Sequence, residues 1–143
     1  MRMTTAEDLG FATALVRLSH LVQRAFIDVG RSHDLTPQQA QLLCVLAQGE
    51  TGVGMTELGK LLNLEKSSVT GLVDRVQRRA LVERVADSCD RRALKITLTE
   101  EGLRLANAAH EGVVEKLEEM AAGLPAEQRE AVAMAAWRML PED

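Results

Sequence analysis

Apolar side chains recur every three or four residues along most of the chain, which is the period of one face of an α-helix. The first such stretch predicts a helix over residues 5–31, with a heptad-like seam made of Phe11, Leu15, Leu18, Val22, Ala25 and Val29. A second helix is predicted over residues 37–48, because Thr36 is a favourable N-cap and Pro37 suits a first helical position. Its expected buried face consists of Ala40, Leu43, Cys44 and Leu46.

The middle of the chain holds shorter elements. Residues 56–62 and 66–79 predict two helices that are joined by a turn at residues 63–65. Residues 81–85 and 93–98 alternate between apolar and polar side chains, which is the period of half-buried strands. They therefore predict a β-hairpin with an exposed loop at its tip, and the whole segment is typical of a winged helix-turn-helix.

Two longer helices are predicted after the hairpin. Thr99 can cap a helix over residues 100–122, whose first turn holds two glutamates that interact favourably with the helix dipole. The expected apolar seam of this helix consists of Leu103, Ala106, Val113, Leu117 and Met120. Pro125 then opens a last helix that reaches about residue 140. The predicted fold class is mainly α, a winged helix-turn-helix with a small β-hairpin wing and helical ends.

The helical ends carry more apolar surface than a winged helix-turn-helix over residues 36–98 can cover. Pairing of two copies of the chain would bury these seams, and a two-fold homodimer is the commonest such arrangement. An antiparallel bundle within one chain is the alternative. We therefore expect a single domain over residues 1–143, with dimerisation helices in residues 5–33 and 99–140.

Length and composition are those of one globular domain. The chain has 143 residues, of which 46% are hydrophobic and 27% charged, and its 2% of aromatic residues leaves the core to Leu, Val, Ala and Met. The two cysteines, Cys44 and Cys89, are too few for a disulfide framework. The chain has neither a signal peptide pattern nor the roughly 18-residue apolar run of a membrane span. We therefore expect a cytoplasmic protein without a membrane partner.

Charge is distributed unevenly along the chain. The net charge is −4, but residues 56–95 contain nine Lys and Arg against six Asp and Glu, a local excess of three positive charges. The remaining residues carry a net charge of −7. A basic segment on an acidic frame attracts phosphate locally, which favours a nucleic acid as the partner.

The fourth predicted helix has one apolar face and one polar face. The polar face consists of Ser67, Gly71, Asp74 and Arg78, flanked by Ser68, Thr70 and Arg75. Short hydroxyl side chains let a helix approach the floor of the major groove, where they can bond to base edges. Candidates for contacts to DNA phosphates are Lys66, Arg75, Arg78 and Arg79. The alternative is the solvated face of an ordinary amphipathic helix.

The loop of the predicted hairpin is rich in charge, with Asp87, Asp90, Arg91 and Arg92 close together. An arginine on a loop tip can enter a narrow minor groove, where the negative potential is enhanced. A neighbouring carboxylate can fix the direction of the guanidinium group through a bidentate pair. A surface ion pair without further function, worth about 0–1 kcal/mol, is the alternative.

Two segments resemble the MarR family of bacterial transcriptional regulators, and the order of elements matches over nearly the whole chain. One segment is LLNLEKSSVTGLVDRVQRRALVER, beginning at Leu61, and the other is DSCDRRALKITLTEEG, beginning at Asp87. The most specific feature is the Asp-Arg-Arg run from Asp90, followed by a strand and by Leu-Thr-x-x-Gly ending at Gly102.

The resemblance implies a triangular homodimer whose interface is formed by the first, fifth and sixth helices. It implies that the fourth helix reads the major groove and that the hairpin tip reaches the minor groove of a pseudo-palindromic operator. Such proteins usually repress nearby genes and often release DNA when a small molecule binds, while activation stays open. The expected DNA-binding residues are Lys66, Ser67, Ser68, Thr70, Gly71, Asp74, Arg75, Arg78, Asp90, Arg91 and Arg92.

Two positions depart from the family pattern. Ala80 stands where the family usually has glycine before a Leu-Val pair, and a left-handed alanine would cost roughly 1 kcal/mol. We therefore expect a slightly different helix end. Gly71 stands where a long side chain such as arginine is frequent, which shifts base contacts to Ser67, Ser68, Thr70 and the wing.

An effector would be a small aromatic or anionic molecule, because proteins of this family commonly bind aromatic acids beside the dimerisation helices. Arg17, His20 and Arg24 on the first helix are candidates to meet an anionic ligand, and solvated or salt-bridged side chains are the alternative. Cys89 in the hairpin loop could respond to oxidation, whereas Cys44 is expected to be a core thiol.

Metal binding and catalysis are not predicted. His33 with Asp34, and His110 with Glu111, lack convincing ligand spacing for a metal. The sequence has no Gly-rich phosphate loop and no G-x-S-x-G motif, so neither an enzyme nor a cofactor is expected. The alternatives to a DNA-binding regulator are a winged helix used for protein–protein contact and a redox- or metal-responsive member of the same family.

Overall fold

The computed structural model describes residues 10–49, 51–87, 89–90 and 92–142. Over these residues the elements are, in chain order, α1 (Phe11–Ser32), α2 (Pro37–Gln48), β1 (Val53–Gly54), α3 (Met55–Leu62), α4 (Lys66–Arg78), β2 (Val82–Ala86), β3 (Leu94–Leu98), α5 (Glu100–Met120) and α6 (Ala126–Met139). The architecture is mainly α with a small antiparallel sheet, which confirms the predicted fold class.

The sheet has three antiparallel strands in the order β1-β3-β2. β2 and β3 form the predicted hairpin, in a register that runs from Val82 opposite Leu98 to Ala86 opposite Leu94. β1 is an addition to the predicted elements, and it pairs Val53 with Ile96. A strand of two residues is too short to show a strand period in the sequence.

Helices α2, α3 and α4 and the sheet surround one apolar core. Its fully buried side chains include Leu42, Leu43, Leu58, Leu72, Val73, Val76 and Ile96. α5 contributes Leu105 and Ala106 to this core, whereas Leu103, predicted to be in the seam, is 46% exposed. Within one chain α5 buries Leu105, Ala106, Ala109 and Val113, so only part of the predicted seam is covered there, and Leu103 and Met120 stay exposed.

The terminal helices pack far less within the chain. The buried residues of α1 are Ala25, Val29 and Gly30, while the first part of its seam, Phe11, Leu15 and Leu18, is exposed. α6 has no buried residue. Gly10 is the N-cap of α1, so the predicted helix is wrong at Gly10, and its predicted start at residue 5 lies outside the described residues. None of the helices that the structure describes is long and apolar enough to cross a membrane.

The end of α4 differs from our expectation. Ala80 has φ 58°, the left-handed conformation that usually needs glycine. The amide of Leu81 donates to the carbonyl of Val76 (3.1 Å) and the amide of Ala80 to that of Gln77 (2.9 Å), which is a Schellman cap. The expectation of a different helix end is therefore wrong, because the Schellman cap that glycine usually forms is formed here with alanine.

Candidate nucleic-acid interface

α4 presents to solvent the polar face that its sequence predicts. Val69, Leu72, Val73 and Val76 are buried against the core, so the opposite side of the helix faces outwards. The exposed side chains on that side are Lys66, Ser67, Ser68, Thr70, Arg75 and Arg78, while Gly71 and Asp74 are half-buried. The Thr70 hydroxyl donates to the carbonyl of Lys66 (2.9 Å), which leaves its oxygen able to accept a further hydrogen bond.

The turn before α4 presents the start of this helix to solvent. Asn63 ends α3 with φ 54°, a conformation that asparagine tolerates better than most residues. The amide of Leu64 donates to the carbonyl of Gly59 (2.9 Å), which closes the turn. Glu65 at the N-cap of α4 accepts no side-chain cap bond, so the first amides of the helix remain suited to an anion such as a phosphate.

A crevice of about 700 Å³ lies between α3 and the first turns of α4. Lys60 and Lys66 stand on its lining together with the hydroxyl of Thr56. Thr56 and Lys60 are both exposed and one helical turn apart, so they extend the basic surface from α4 to α3. These two residues were not among the predicted DNA contacts, although their four-residue spacing indicates a shared helix face.

The acidic residues of the wing loop, residues 87–93, bind its backbone. Asp87 Oδ1 accepts from the amide of Cys89 (3.0 Å), and Asp90 Oδ1 accepts from the amide of Arg92 (3.0 Å). Asp87 Oδ1 also lies 3.8 Å from Lys95 Nζ. In the described part of the loop the carboxylates therefore shape the turn rather than orient a guanidinium group. Arg92 is exposed, and Arg91 lies outside the described residues.

Arg84 joins the wing to α4. It belongs to the face of β2 that carries Val82, and its guanidinium Nη2 donates to Asp74 Oδ1 at 2.6 Å. A second nitrogen, Nη1, donates to the Gln77 side chain. Asp74, predicted to contact DNA, is therefore engaged by an arginine, which reduces its repulsion of phosphates. Arg84 was not among the predicted site residues, and its signal in the sequence is a charged side chain at an inward-facing position of a strand.

The residues predicted to meet a ligand, Arg17, His20 and Arg24, are all exposed on α1. Arg24 lines a groove of about 360 Å³ between α1 and α5. Lys116 lines the same groove, with its Nζ 3.9 Å from Asp28 Oδ2. The structure thus brings Arg24 near a second cation, and it leaves Arg17 and His20 outside the lining of this groove.

The two thiols have different surroundings. Cys44 is buried, as predicted, and burial raises the pKa of its thiol above the usual value. Cys89 is exposed in the wing loop. Within the residues that the structure describes, no group of three or more His, Cys, Asp or Glu side chains could hold a metal ion.

Comparison with known sequences gives a consistent set of relatives. The sequence model of the MarR family matches residues 33–93. The homoprotocatechuate degradative operon repressor of Escherichia coli is 30% identical over 115 residues, which span 80% of this chain and 77% of that protein. The uncharacterized transcriptional regulator YsmB of Bacillus subtilis (strain 168) is 32% identical over 93 residues, covering 64% of this chain and 62% of that protein.

Solved structures share the fold. CouR from Rhodococcus jostii RHA1, bound to p-coumaroyl-CoA, has a TM-score of 0.78 and 26% identity, with 96% of this chain and 99% of that chain covered. MepR of S. aureus, in complex with DNA, has a TM-score of 0.75 and 22% identity, with 92% and 96% covered. The relatives are regulators rather than enzymes. The resemblance is confirmed, and the chain belongs to the MarR family of bacterial winged helix-turn-helix transcriptional regulators.

Proposed function

We propose that the protein is a homodimer that binds a pseudo-palindromic operator in duplex DNA and represses nearby genes. The observation that carries this proposal is the exposed, polar and hydroxyl-rich face of α4. The wing lies beside this face, because Arg84 of β2 is hydrogen-bonded to Asp74 of α4. A helix of this kind fits the major groove, and a basic loop beside it fits the backbone or the minor groove.

We assign the DNA contacts by position and chemistry. Ser67, Ser68 and Thr70 reach base edges from the first turns of α4, where Gly71 lets the backbone approach closely. The contacts to phosphates come from Lys66, Arg75 and Arg78, with Thr56 and Lys60 extending the surface along α3. At the wing, Arg91 and Arg92 enter the minor groove, while Asp74 and Asp90 hold Arg84 and the loop backbone in place.

We propose that residues 36–98 form the DNA-binding lobe and that residues 5–33 and 99–140 form the dimer interface. The support is the apolar surface left exposed on the terminal helices. On α6 alone, exposed apolar side chains include Val132, Met134, Trp137 and Met139. Trp137, the one tryptophan of the chain, is 75% exposed. A second copy would bury this surface, as the hydrophobic effect favours.

The repressor role is supported by the way in which a DNA-bound dimer acts at a promoter and by the role of one relative. A protein bound across a promoter blocks transcription, and the Escherichia coli relative is a repressor of a degradative operon. We further propose that a small aromatic or anionic molecule relieves repression. Arg24 and Lys116 in the α1–α5 groove would bind its negatively charged group. CouR, which was solved with p-coumaroyl-CoA bound, supports a ligand of this kind.

The proposal is tested by fluorescence anisotropy with duplexes selected from a random library, measured over a series of salt concentrations. We expect tight binding to the selected duplex, weak binding to a scrambled one, and a steep fall in affinity with salt, because phosphate neutralisation releases counterions. Arg92→Ala should weaken binding to the selected duplex, and Arg75→Ala, at a proposed phosphate contact, should lower the salt slope by about 1. Arg138→Ala on α6 removes one positive charge outside the DNA-binding lobe and is the control, with sedimentation analysis to show that this variant is still a dimer, because α6 belongs to the proposed interface. A chain that binds DNA weakly and without selectivity would favour a role in protein–protein contact.

A further inference from the structure

The C-terminal end of α4 is hydrogen-bonded to the turn that follows α1 and to the N-cap of α5. Arg79 follows the last residue of α4, and its Nη1 donates to the carbonyl of Asp34 just beyond α1 (2.7 Å). The hydroxyl of Thr99, the N-cap of α5, donates to the carbonyl of Ala80 (2.7 Å). The amide of Thr99 donates to the carbonyl of Leu81 (3.1 Å). The recognition helix thus ends in a junction, formed by Asp34, Arg79–Leu81 and Thr99–Gly102, that three elements share.

The α5 side of this junction is closely fitted. The same Thr99 hydroxyl that donates to Ala80 accepts the amide of Gly102 (3.0 Å), so one side chain begins α5 and holds the end of α4. A Cβ atom on Gly102 would lie 1.8 Å from the carbonyl oxygen of Leu81. Only glycine lets the first turn of α5 come so near to the backbone that follows α4.

From these contacts we propose that Arg79 and Thr99 are positioning residues that set the distance and angle between the two α4 helices of the dimer. This proposal rests on the dimeric, DNA-binding function proposed above. Thr99 begins α5, which belongs to the proposed dimer interface, and Asp34 directly follows the interface segment that contains α1, so these two hydrogen bonds relate the recognition helix to the two-fold axis. Both recognition helices must meet half-sites at a fixed spacing along the DNA. The proposed base contacts lie near the start of α4, whereas the hydrogen bonds that fix the spacing between the two recognition helices lie at its C-terminal end.

The first test measures the spacing without DNA. A nitroxide label on Ser67→Cys, in a Cys89→Ser background that leaves the buried Cys44 unlabelled, reports the distance between the two α4 helices by pulsed electron paramagnetic resonance. We expect Arg79→Gln to shift or broaden this distance distribution. Arg78→Gln removes the same charge from the neighbouring exposed residue and should leave the distribution unchanged. An unchanged distribution in Arg79→Gln would overturn the proposal.

The second test uses selected operators whose half-site spacing is lengthened or shortened by one base pair. Arg79→Gln should weaken the preference for the natural spacing by about fivefold, the factor that corresponds to removal of one hydrogen bond. A residue that only contacts phosphate would instead lower affinity by the same factor at every spacing, as we expect for Arg78→Gln. An equal loss of affinity at every spacing in Arg79→Gln would therefore refute the positioning role.

Thr99 gives an independent readout. Thr99→Val keeps the shape of the side chain and removes the hydroxyl, whereas Thr99→Ser keeps the hydroxyl. We expect Thr99→Val to change the interhelix distance and Thr99→Ser to restore it. Should Thr99→Val not fold, the Arg79 pair still decides the question. If the parent chain is monomeric or binds no DNA, the proposed function itself is refuted. That failure is detected in the parent, before any variant is compared, so it is distinguished from a failure of the positioning role.

Discussion

The winged helix-turn-helix lobe and the terminal helices have the same kind of apolar periodicity but differ in what covers it. In the lobe, Leu42, Leu43, Leu58 and Leu72 are fully buried by neighbours from the same chain. On α1, Phe11, Leu15 and Leu18 recur at intervals of three or four residues and remain exposed. Helical periodicity therefore identifies an apolar face, whereas the surface that covers that face depends on tertiary or quaternary packing.

The largest effect should come from the lobe. Leu72→Ala leaves a cavity in a core that is closed within one chain, and it should lower the free energy of unfolding by about 3 kcal/mol. Leu61→Ala, at a residue that is 52% exposed, should change it by about 0.5 kcal/mol or less. Urea denaturation at one fixed protein concentration measures both. Equal losses of stability for the two variants would contradict the contrast between core and surface.

The junction between the lobe and α5 should be nearly as sensitive. Gly102→Ala places a methyl group against the Leu81 carbonyl and should destabilise the fold by about 2 kcal/mol, a typical cost of overpacking. Gly123→Ala is the matched control, since a Cβ atom there has no neighbour within 4 Å. Thermal unfolding compares the two variants. If Gly102→Ala unfolds at the parent temperature, the close approach of α5 to Leu81 is wrong.

The terminal helices should respond in association rather than in the stability of the lobe. Trp137→Ala removes a large exposed aromatic side chain and should raise the dissociation constant of the dimer by about tenfold, because aromatic anchors dominate interfaces. Glu130→Ala, an exposed polar residue of α6, should leave it nearly unchanged. Sedimentation analysis over a concentration range measures this constant. An unchanged constant for Trp137→Ala would place Trp137 outside the interface.

Features fixed by neighbouring residues were predictable from the sequence. Thr36 and Gln39 form a reciprocal capping box, with bonds of 3.2 and 3.1 Å, so the start of α2 was predicted correctly. The wing was predicted from strand alternation, with small differences at its ends.

Features that join distant residues were not predictable in the same way. The bond between Arg84 and Asp74 spans ten residues, and the bond from Arg79 to Asp34 spans 45. Nothing in the local pattern of either segment specifies its partner. On α5 two apolar faces were present, and only packing against the lobe selects the one through Leu105 rather than Leu103.

The smallest effect tests a conflict between local preference and tertiary structure at Ala80. Ala80→Gly removes the cost of a left-handed alanine, roughly 1–2 kcal/mol, but it also frees the unfolded chain by about 0.4–1 kcal/mol. The first term is larger, so we expect a net gain in unfolding free energy of about 0.5–1 kcal/mol. Asn63→Gly is the control, because asparagine already tolerates its left-handed conformation of φ 54° and should gain less. Urea denaturation of both variants decides the question. A loss of stability in Ala80→Gly would mean that the alanine methyl group makes a favourable contact that outweighs the backbone strain.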